Sequence, residues 1–405
     1  MAVLVLAGLW LSVMLGLFWH SPSDDLSATY MGASLLAEGL GDHLYAHHPI
    51  QFHIVDDPVW HQIAAERGFD GFLHPYVQTP LWAWLLRPSV TALAFPAFSR
   101  FFLVLHLLSV LAVIVLAGRL WNRGLLRPGP IAATLVLLTL GEPLQYALFL
   151  GQTHMLFLAV ALGGLLCTER GRPLLGGTLV AVAAAIKPTF GALVVWWIFS
   201  RQWRAVLGFC LASVGAILAT LAAVGPPLFL EYLRNLERIS DSVLVAFNSQ
   251  SFLAALHRMG GNAEVFSWEM HPVSSWLGAL NNTAGVAALA GLGWVTRRGQ
   301  RRGAAMGGVA CAGLVLLGTL FAPLSWSHYY LVLLLPWFVI LGSPIGSTRT
   351  AWLGLLTTVL LSAQPIAVGS IQPGSGLVVS SHLLGGLLTL ALLLVAGRSI
   401  GAAPD

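Results

Sequence analysis

The sequence predicts an all-α polytopic membrane protein, a single domain over 1–405 with helical outer loops. Three observations lead there. Hydrophobic residues make up 57% of the chain, charged residues only 9%, and the mean hydropathy is +0.81, whereas a soluble domain carries roughly a quarter charged residues. At about 20 apolar residues per crossing, and with two polar loops set aside, the length accommodates roughly 11 to 13 transmembrane helices. The charges are also sorted by position, with arginines in short clusters between apolar runs. That sorting excludes a nucleic-acid partner despite the net charge of +4 and the pI near 9.2.

The acidic residues set the topology. Of sixteen, eight lie between Asp24 and Asp70 and five between Glu231 and Glu269; the others are Glu142, Glu169 and Asp405. Arginines collect elsewhere: Arg119, Arg123 and Arg127; Arg170 and Arg172; Arg201 and Arg204; Arg297, Arg298, Arg301 and Arg302; then Arg349 and Arg398. Short arginine-rich turns face the cytoplasm, which places the acidic loops 20–75 and 225–272 outside.

The elements follow in order. The first apolar run, about 2–19, has no basic n-region and reads as a retained span rather than a cleaved leader. After the first outer loop, a run near 98–117 leads to the first arginine cluster. Residues 130–149 return outward to Gly151-Gln152, and 153–168 go back. Residues 205–224 lead to the second outer loop. Spans near 275–295, 304–322, 329–342, 350–366 and 378–397 complete the path. Two stretches break the charge rule if each crosses once. Residues 76–96 are expected to be re-entrant or broken. Residues 174–200 carry arginines at both ends, so two half-length helices meeting at Lys187-Pro188 satisfy the rule, and Pro188 restricts helical geometry at Lys187. Cys167, Cys210 and Cys311 fall inside apolar runs without metal-ligand spacing and read as small buried residues.

Against this background a few polar residues need explaining. Lys187 is the only lysine and lies between LVAVAAAI and PTFGALVVWWIF. A cation at that depth costs several kcal/mol unless water or an anion compensates. It either snorkels to an interface or meets a phosphate at the mouth of a cavity. Asp24 and Asp25 open a helical pattern carried by Met31, Leu35, Leu36 and Leu40, where they can cap the helix, act as a base, or both. His328 sits in a polar aromatic cluster with Ser325, Trp326, Tyr329 and Tyr330, either a membrane-interface belt or a binding site. Gln152 and His154 follow Gly151 at an outer turn, where intramembrane packing can also supply their partners. The first-loop histidines, including His47-His48 near Asp56-Asp57, lack zinc-site spacing and read as solvated. No cofactor is expected and no metal site is read, while a metal requirement stays open; no nucleotide-binding signature occurs, so an activated donor is expected to be a lipid within the membrane.

Taken together, these motifs resemble glycosyltransferase family 87, polytopic GT-C enzymes that use polyprenyl-phosphate sugars. The resemblance starts at Asp25-Leu26 with Tyr30, Gly39 and Tyr45, and continues through His74-Pro75-Tyr76 to Pro80-Leu81, a variant of the family's Tyr-Pro-Pro turn. Its most specific stretch is Gly151 to Ala205, similar to the family's Gly-Gln-x-Asn, Arg-Gly-Arg, Ala-Ala-x-Lys and Arg-x-Trp-Arg-Ala series. NSQSFLAALHR (Asn248 to Arg258) and SWSHYY (Ser325 to Tyr330) add two elements. This chain departs from the pattern at His154, where Asn is usual, and at NSQS in place of Asn-Gln-Ser. The doubled Asp24-Asp25 leaves the identity of the base open, with Asp25-Leu26 the better fit.

The resemblance implies a GT-C-type bundle in a bacterial cytoplasmic membrane, with its site on the outer, periplasmic face. It also implies transfer of a sugar, most simply mannose, from a polyprenyl-phosphate donor to a cell-envelope glycolipid or glycan. Phosphate leaves readily, so one base (Asp25, or Asp24) suffices where glycoside hydrolysis uses two carboxylates, and direct displacement inverts the anomeric centre. Lys187, His328 and Arg258 are the candidates to stabilise the departing phosphate. Gln152, His154, Tyr30, Trp326, Tyr329 and Gln250 are candidate substrate contacts. An arabinofuranosyl-phosphate lipid is the alternative donor. A lipid or solute transporter is the competing class, since carriers also place lone charges at broken helices.

Overall fold

The computed structural model describes residues 1–48, 50–260, 264–299, 303–362 and 376–402. Among them the chain is helical apart from one two-stranded ribbon, an all-α polytopic membrane protein. Arg301, Arg302 and Asp405 lie outside the described residues.

The chain begins with α1 (Ala2–Phe18) and then builds a layer of three helices, α2 (Asp24–Ala37), α3 (Pro58–Glu66) and α4 (Pro80–Ala92). Asp57 caps α3 by accepting from the Val59 amide at 2.8 Å, with Pro58 at the first helical position. Tyr30, Met31 and Leu35 of α2, Trp60 of α3 and Ala83 and Leu86 of α4 share one apolar cluster. Residues 76–96, expected to be re-entrant or broken, contribute α4 to this layer, with a break before Phe95. The helix is pinned where Arg67 Nη1 donates to the Val90 carbonyl at 2.8 Å. Helix α4 packs its buried face on α2. No crossing is needed there, and a single passage by α5 (Phe95–Leu120) brings Arg119, Arg123 and Arg127 to the same end as the other arginine turns.

The path continues through α6 (Pro128–Leu140) and α7 (Glu142–Leu150), bent by 64° against each other, then α8 (His154–Glu169). Next comes the hairpin the charge rule requires. Helix α9 (Pro173–Ile186) runs from Arg172 to Lys187; after a 3-10 turn (Pro188–Ala192), α10 (Leu193–Phe199) returns to Arg201. Fourteen residues at 1.5 Å each carry Lys187 about 21 Å from the arginine end. Gly177 lets α9 lie directly on the following helix, since a Cβ there would collide with the Ala205 carbonyl oxygen.

That following helix, α11 (Trp203–Ser240), bends at Gly225 (φ 79°, ψ 163°) ahead of Pro226-Pro227. Beyond the bend, Leu228 and Tyr232 join the apolar cluster of α2–α4. The second outer segment holds β1 (Ser242–Leu244), α12 (Phe252–Met259) and β2 (Met270–Pro272), with Val243 opposite His271. Then come α13 (Ser275–Arg298), α14 (Gly303–Leu320), a 3-10 stretch (Ser327–Leu333), α15 (Leu334–Gly342), α16 (Arg349–Ser362), α17 (Gly376–Val379) and α18 (Ser381–Ala402). Arg298 and Arg398 both stack on the Trp294 ring, at 4.0 and 5.0 Å from its centroid, so the ends of α13 and α18 meet. Cys167, Cys210 and Cys311 are free thiols, and only Cys311 is buried.

Counting about 11 to 13 crossings treats every apolar run as a full span. Among the described residues, α5, α11 and α18 are long and apolar enough to cross alone, and α6 with α7 forms a bent pair, either a broken span or a re-entrant loop. Several other apolar helices have 10–17 residues. The turn before α8, the break after α9 and the 3-10 stretch before α15 meet at a cavity away from the arginine turns.

Candidate active site

The cavity encloses about 400 Å³ between the outer layer and the bundle. Helix starts and breaks supply its polar floor. Asp24 and Asp25 come from the first turn of α2, Gln152 from the α7–α8 turn, Lys187 from the tip of the α9–α10 hairpin, and His328 and Tyr329 from the 3-10 stretch.

The start of α2 is held by close backbone contact. Ser23, just before α2, adopts a left-handed conformation (φ 56°), and its amide donates to the Phe149 carbonyl at 3.1 Å. Helix α7 ends at Gly151 in the left-handed region (φ 71°). A Cβ on Gly151 would lie 2.8 Å from Leu26 Cβ and 2.9 Å from Ser23 Cβ. Glycine therefore serves two purposes there, the turn and the close approach. The result is that Gln152 meets Asp25, with its Nε2 donating to Asp25 Oδ2. Among the described residues, Asp25 Oδ1 accepts no hydrogen bond.

Burial raises the Asp25 pKa above the ordinary carboxylate range; His74, the Gln152 hydrogen bond and Lys187 pull the other way. Asp24 is raised too, again by burial first, with His74 opposing and Asp25 adding to the rise.

Lys187 is half-buried, and its Nζ lies 5.4 Å from the Tyr329 ring centroid. Tyr329 meets His328 edge-on at 4.8 Å and stacks on His154 at 5.1 Å and 18°. His328 is 1% exposed, and neither of its ring nitrogens has a hydrogen-bond partner among the described residues. A buried imidazole without partners is costly, and here it lines a cavity that a ligand can enter. His154 does not reach the lining. It sits behind Tyr329, against Phe190 at 5.2 Å.

The other candidates divide clearly. Trp326 lines the cavity. Tyr30 does not: its hydroxyl donates to the Leu93 carbonyl at 3.0 Å inside the outer apolar cluster. Gln250 is buried, with Nε2 donating to the carbonyls of Phe247 (2.7 Å) and Val379 (2.6 Å). Arg258 is also buried away from the lining. Its Nη1 donates to the carbonyls of Val245, Ala246 and Ser249, and its Nη2 to Ser380 Oγ. Those bonds occupy the guanidinium in folding the second outer segment. The first-loop histidines have separate duties. His43 pairs with Asp57 at 2.9 Å, His47 bonds the Tyr45 carbonyl, and His48 Nδ1 accepts from the amides of Ile50 and Gln51.

Sequence reasoning missed three groups. Tyr146 and Asn248 line the cavity and bond each other, Asn248 Nδ2 donating to the Tyr146 hydroxyl at 3.2 Å. Glu142 braces the His328 segment: it accepts from Ser327 Oγ at 2.7 Å and lies 3.1 Å from His382 Nε2. Phe52, Phe72 and Trp268 line the cavity as well. An acid outside both acidic loops, and aromatic rings inside polar loops, were the available signals.

The sequence profile of glycosyltransferase family 87 matches residues 76–323. Two curated relatives come from Mycolicibacterium smegmatis. A polyprenol-phosphate-mannose-dependent alpha-(1-2)-phosphatidylinositol mannoside mannosyltransferase is 26% identical over 226 residues, covering 53% of this chain and 47% of the relative. A polyprenol-phosphate-mannose-dependent alpha-(1-2)-phosphatidylinositol pentamannoside mannosyltransferase is 27% identical over 223 residues, covering 53% and 50%. The chain thus spans about half the length of the curated relatives it matches. No solved structure matches it. The chain belongs to glycosyltransferase family 87.

Proposed function

We propose that this member of glycosyltransferase family 87 is a membrane glycosyltransferase. It moves mannose from a polyprenyl-phosphate donor to a glycolipid or glycan acceptor, inverting the anomeric centre. The observation that carries the reading is the convergence of Asp25, Lys187 and His328, from three distant segments, on one cavity away from the arginine turns. By the charge rule that end faces outward, where a lipid donor reaches the cavity from the membrane and the acceptor arrives from outside. The names of the two curated relatives support mannose and the lipid-phosphate donor.

In the transfer, Asp25 takes the proton of an acceptor hydroxyl as its oxygen attacks the anomeric carbon. The bond from that carbon to the phosphate oxygen breaks, and the electron pair leaves with polyprenyl phosphate. Gln152 orients the base through Oδ2, and its raised pKa increases its basicity once ionised. Lys187 and His328 meet the charge gathering on the phosphate.

The test incubates purified protein with a panel of polyprenyl-phosphate sugars and membrane-lipid acceptor fractions and follows release of polyprenyl phosphate. Consumption of the mannosyl donor with inverted product supports the reading. No consumption of any donor defeats it, and a preference for an arabinofuranosyl donor replaces the sugar while keeping the reaction.

A further inference from the structure

The mouth of the cavity differs in chemistry from its floor. Phe52, His53, Phe72, His74, Trp268 and Trp326 line it, and most stay half-exposed or exposed; Phe72 is 47% exposed. Their ring contacts form two groups, one of His53, Phe72, His74 and Trp268 and one of Phe52 and Trp326. His53 stacks on Phe72 at 5.6 Å and 7° and lies 4.9 Å from Trp268, Phe72 lies 4.9 Å from His74, and Phe52 lies 6.0 Å from Trp326.

Backbone pairing holds this wall in place. Phe52 N donates to the Trp268 carbonyl at 2.9 Å, Met270 N to the Ile50 carbonyl at 3.0 Å, and Gln51 bridges Glu269. A second bridge joins Ser249 to Trp326, beside the Ser327 N to Asn248 carbonyl bond at 2.8 Å. The first and second outer segments and the His328 segment are thereby laced into one rim. Rings left half-exposed on a laced rim are held ready for something outside the fold.

We propose that this rim is an acceptor-saccharide subsite, with Trp268 and Phe72 as platforms for the C–H faces of a sugar ring. The inference rests on the transferase reading above. A sugar ring carries polarised C–H groups on its faces and hydroxyls around its edge. The negative face of an aromatic ring attracts the former, while the imidazoles of His53 and His74 offer hydrogen bonds to the latter. An acyl chain has no use for the imidazoles, and a phosphate is served by Lys187 deeper in. The rim also lies outward of Asp25, so a saccharide stacked on it can direct a hydroxyl inward to the carboxylate.

The experiment measures binding of methyl α-mannobioside to the purified chain in nanodiscs, without donor, by ligand-observed NMR. Acceptor and donor KM are then measured in the transfer assay. Trp268→Ala is expected to raise the saccharide Kd and acceptor KM about tenfold, equivalent to about 1.4 kcal/mol, with donor KM moving less than about twofold. Trp268→Phe restores most of the affinity, and Phe72→Ala, at an exposed position, shows the same selective loss without affecting folding. Absence of saccharide binding to the unaltered protein, or a Kd for Trp268→Ala and Phe72→Ala equal to that of the unaltered protein, overturns the proposal. Saccharide binding that these variants weaken in a protein that consumes no donor upholds the subsite while defeating the transferase reading.

Discussion

Gly151 offers the sharpest test of how the fold places its carboxylates. An alanine there faces two separate penalties. The left-handed backbone (φ 71°) costs an L-residue about 1–2 kcal/mol. The new Cβ would also sit 2.8 Å from Leu26 Cβ and 2.9 Å from Ser23 Cβ, main-chain-anchored atoms that cannot swing away. Restoring ordinary contact at 3.4 Å requires the start of α2 to retreat by about 0.6 Å. Because Leu26 and Ser23 flank Asp24 and Asp25, that retreat moves both carboxylates relative to Gln152 and the cavity. A misplacement near 1 Å costs about 100-fold in rate, so Gly151→Ala is expected to lower kcat by about 10- to 100-fold and stability by about 1–3 kcal/mol. Gly68→Ala is the control. Gly68 has φ 63° and no atom within 4 Å of its added Cβ, so it carries the backbone penalty without the collision. The assay follows polyprenyl phosphate release from a mannosyl donor, with thermal unfolding measured in the same detergent. Gly151→Ala at full kcat, or Gly68→Ala with the same loss of rate, would refute the positioning argument.

Three further outcomes follow from the site. Asp25→Asn is expected to lower transfer by at least about 100-fold yet raise the unfolding midpoint near pH 7. A folded-state pKa above the ordinary value of 3.8 means that the fold favours the neutral acid and loses stability as pH rises through the raised value. That gain should close below the ordinary value, and equal midpoints at pH 7 would contradict it. Lys187→Gln is expected to raise donor KM about tenfold or more, the scale of a hydrogen bond between charged groups; an unchanged donor affinity returns Lys187 to a snorkelling role. Arg258→Met is expected to cost about 3 kcal/mol or more through the carbonyls left unpaired. The folded fraction should keep its donor KM, and a selective rise in that KM would mean that Arg258 reaches the phosphate after all.

The sequence revealed most where a residue was anomalous against its background. Lys187, Asp25 and His328 each stood out in an apolar or loop setting, and all three line the cavity. The hairpin at Lys187-Pro188 was legible because the arginines flanking 174–200 permit an even number of crossings. Residues 76–96 were legible only as re-entrant or broken, because a helix that shares an apolar cluster with Met31, Leu35 and Trp60 is as apolar as one that packs on lipid. Arg258 misled for a related reason. An isolated arginine beside an apolar run reads the same whether it binds a phosphate or three backbone carbonyls. The aromatic rim was hidden because Phe52 and Trp268 meet through backbone pairing between segments far apart in the chain, and composition carries no trace of that pairing.

On the proposed function, the charges in the cavity are arranged for a reaction rather than for each other. Among the described residues, Lys187 forms no ion pair with a carboxylate, and its ammonium lies against the Tyr329 ring instead. A direct pair at 4 Å would gain about 4 kcal/mol at an effective dielectric of 20, and a substrate would have to undo that gain on entering. Held apart across the cavity, Asp25 and Lys187 still influence each other, since Lys187 draws the Asp25 pKa downward. In the proposed transfer, Asp25 loses its negative charge as it takes the acceptor proton, while the phosphate gains one as the glycosidic bond breaks. Negative charge thus travels from the start of α2 toward the tip of the α9–α10 hairpin, and the lone lysine stands where it arrives. Because the cavity as a whole keeps the same charge throughout, the surrounding apolar bundle never has to accommodate a new unbalanced ion.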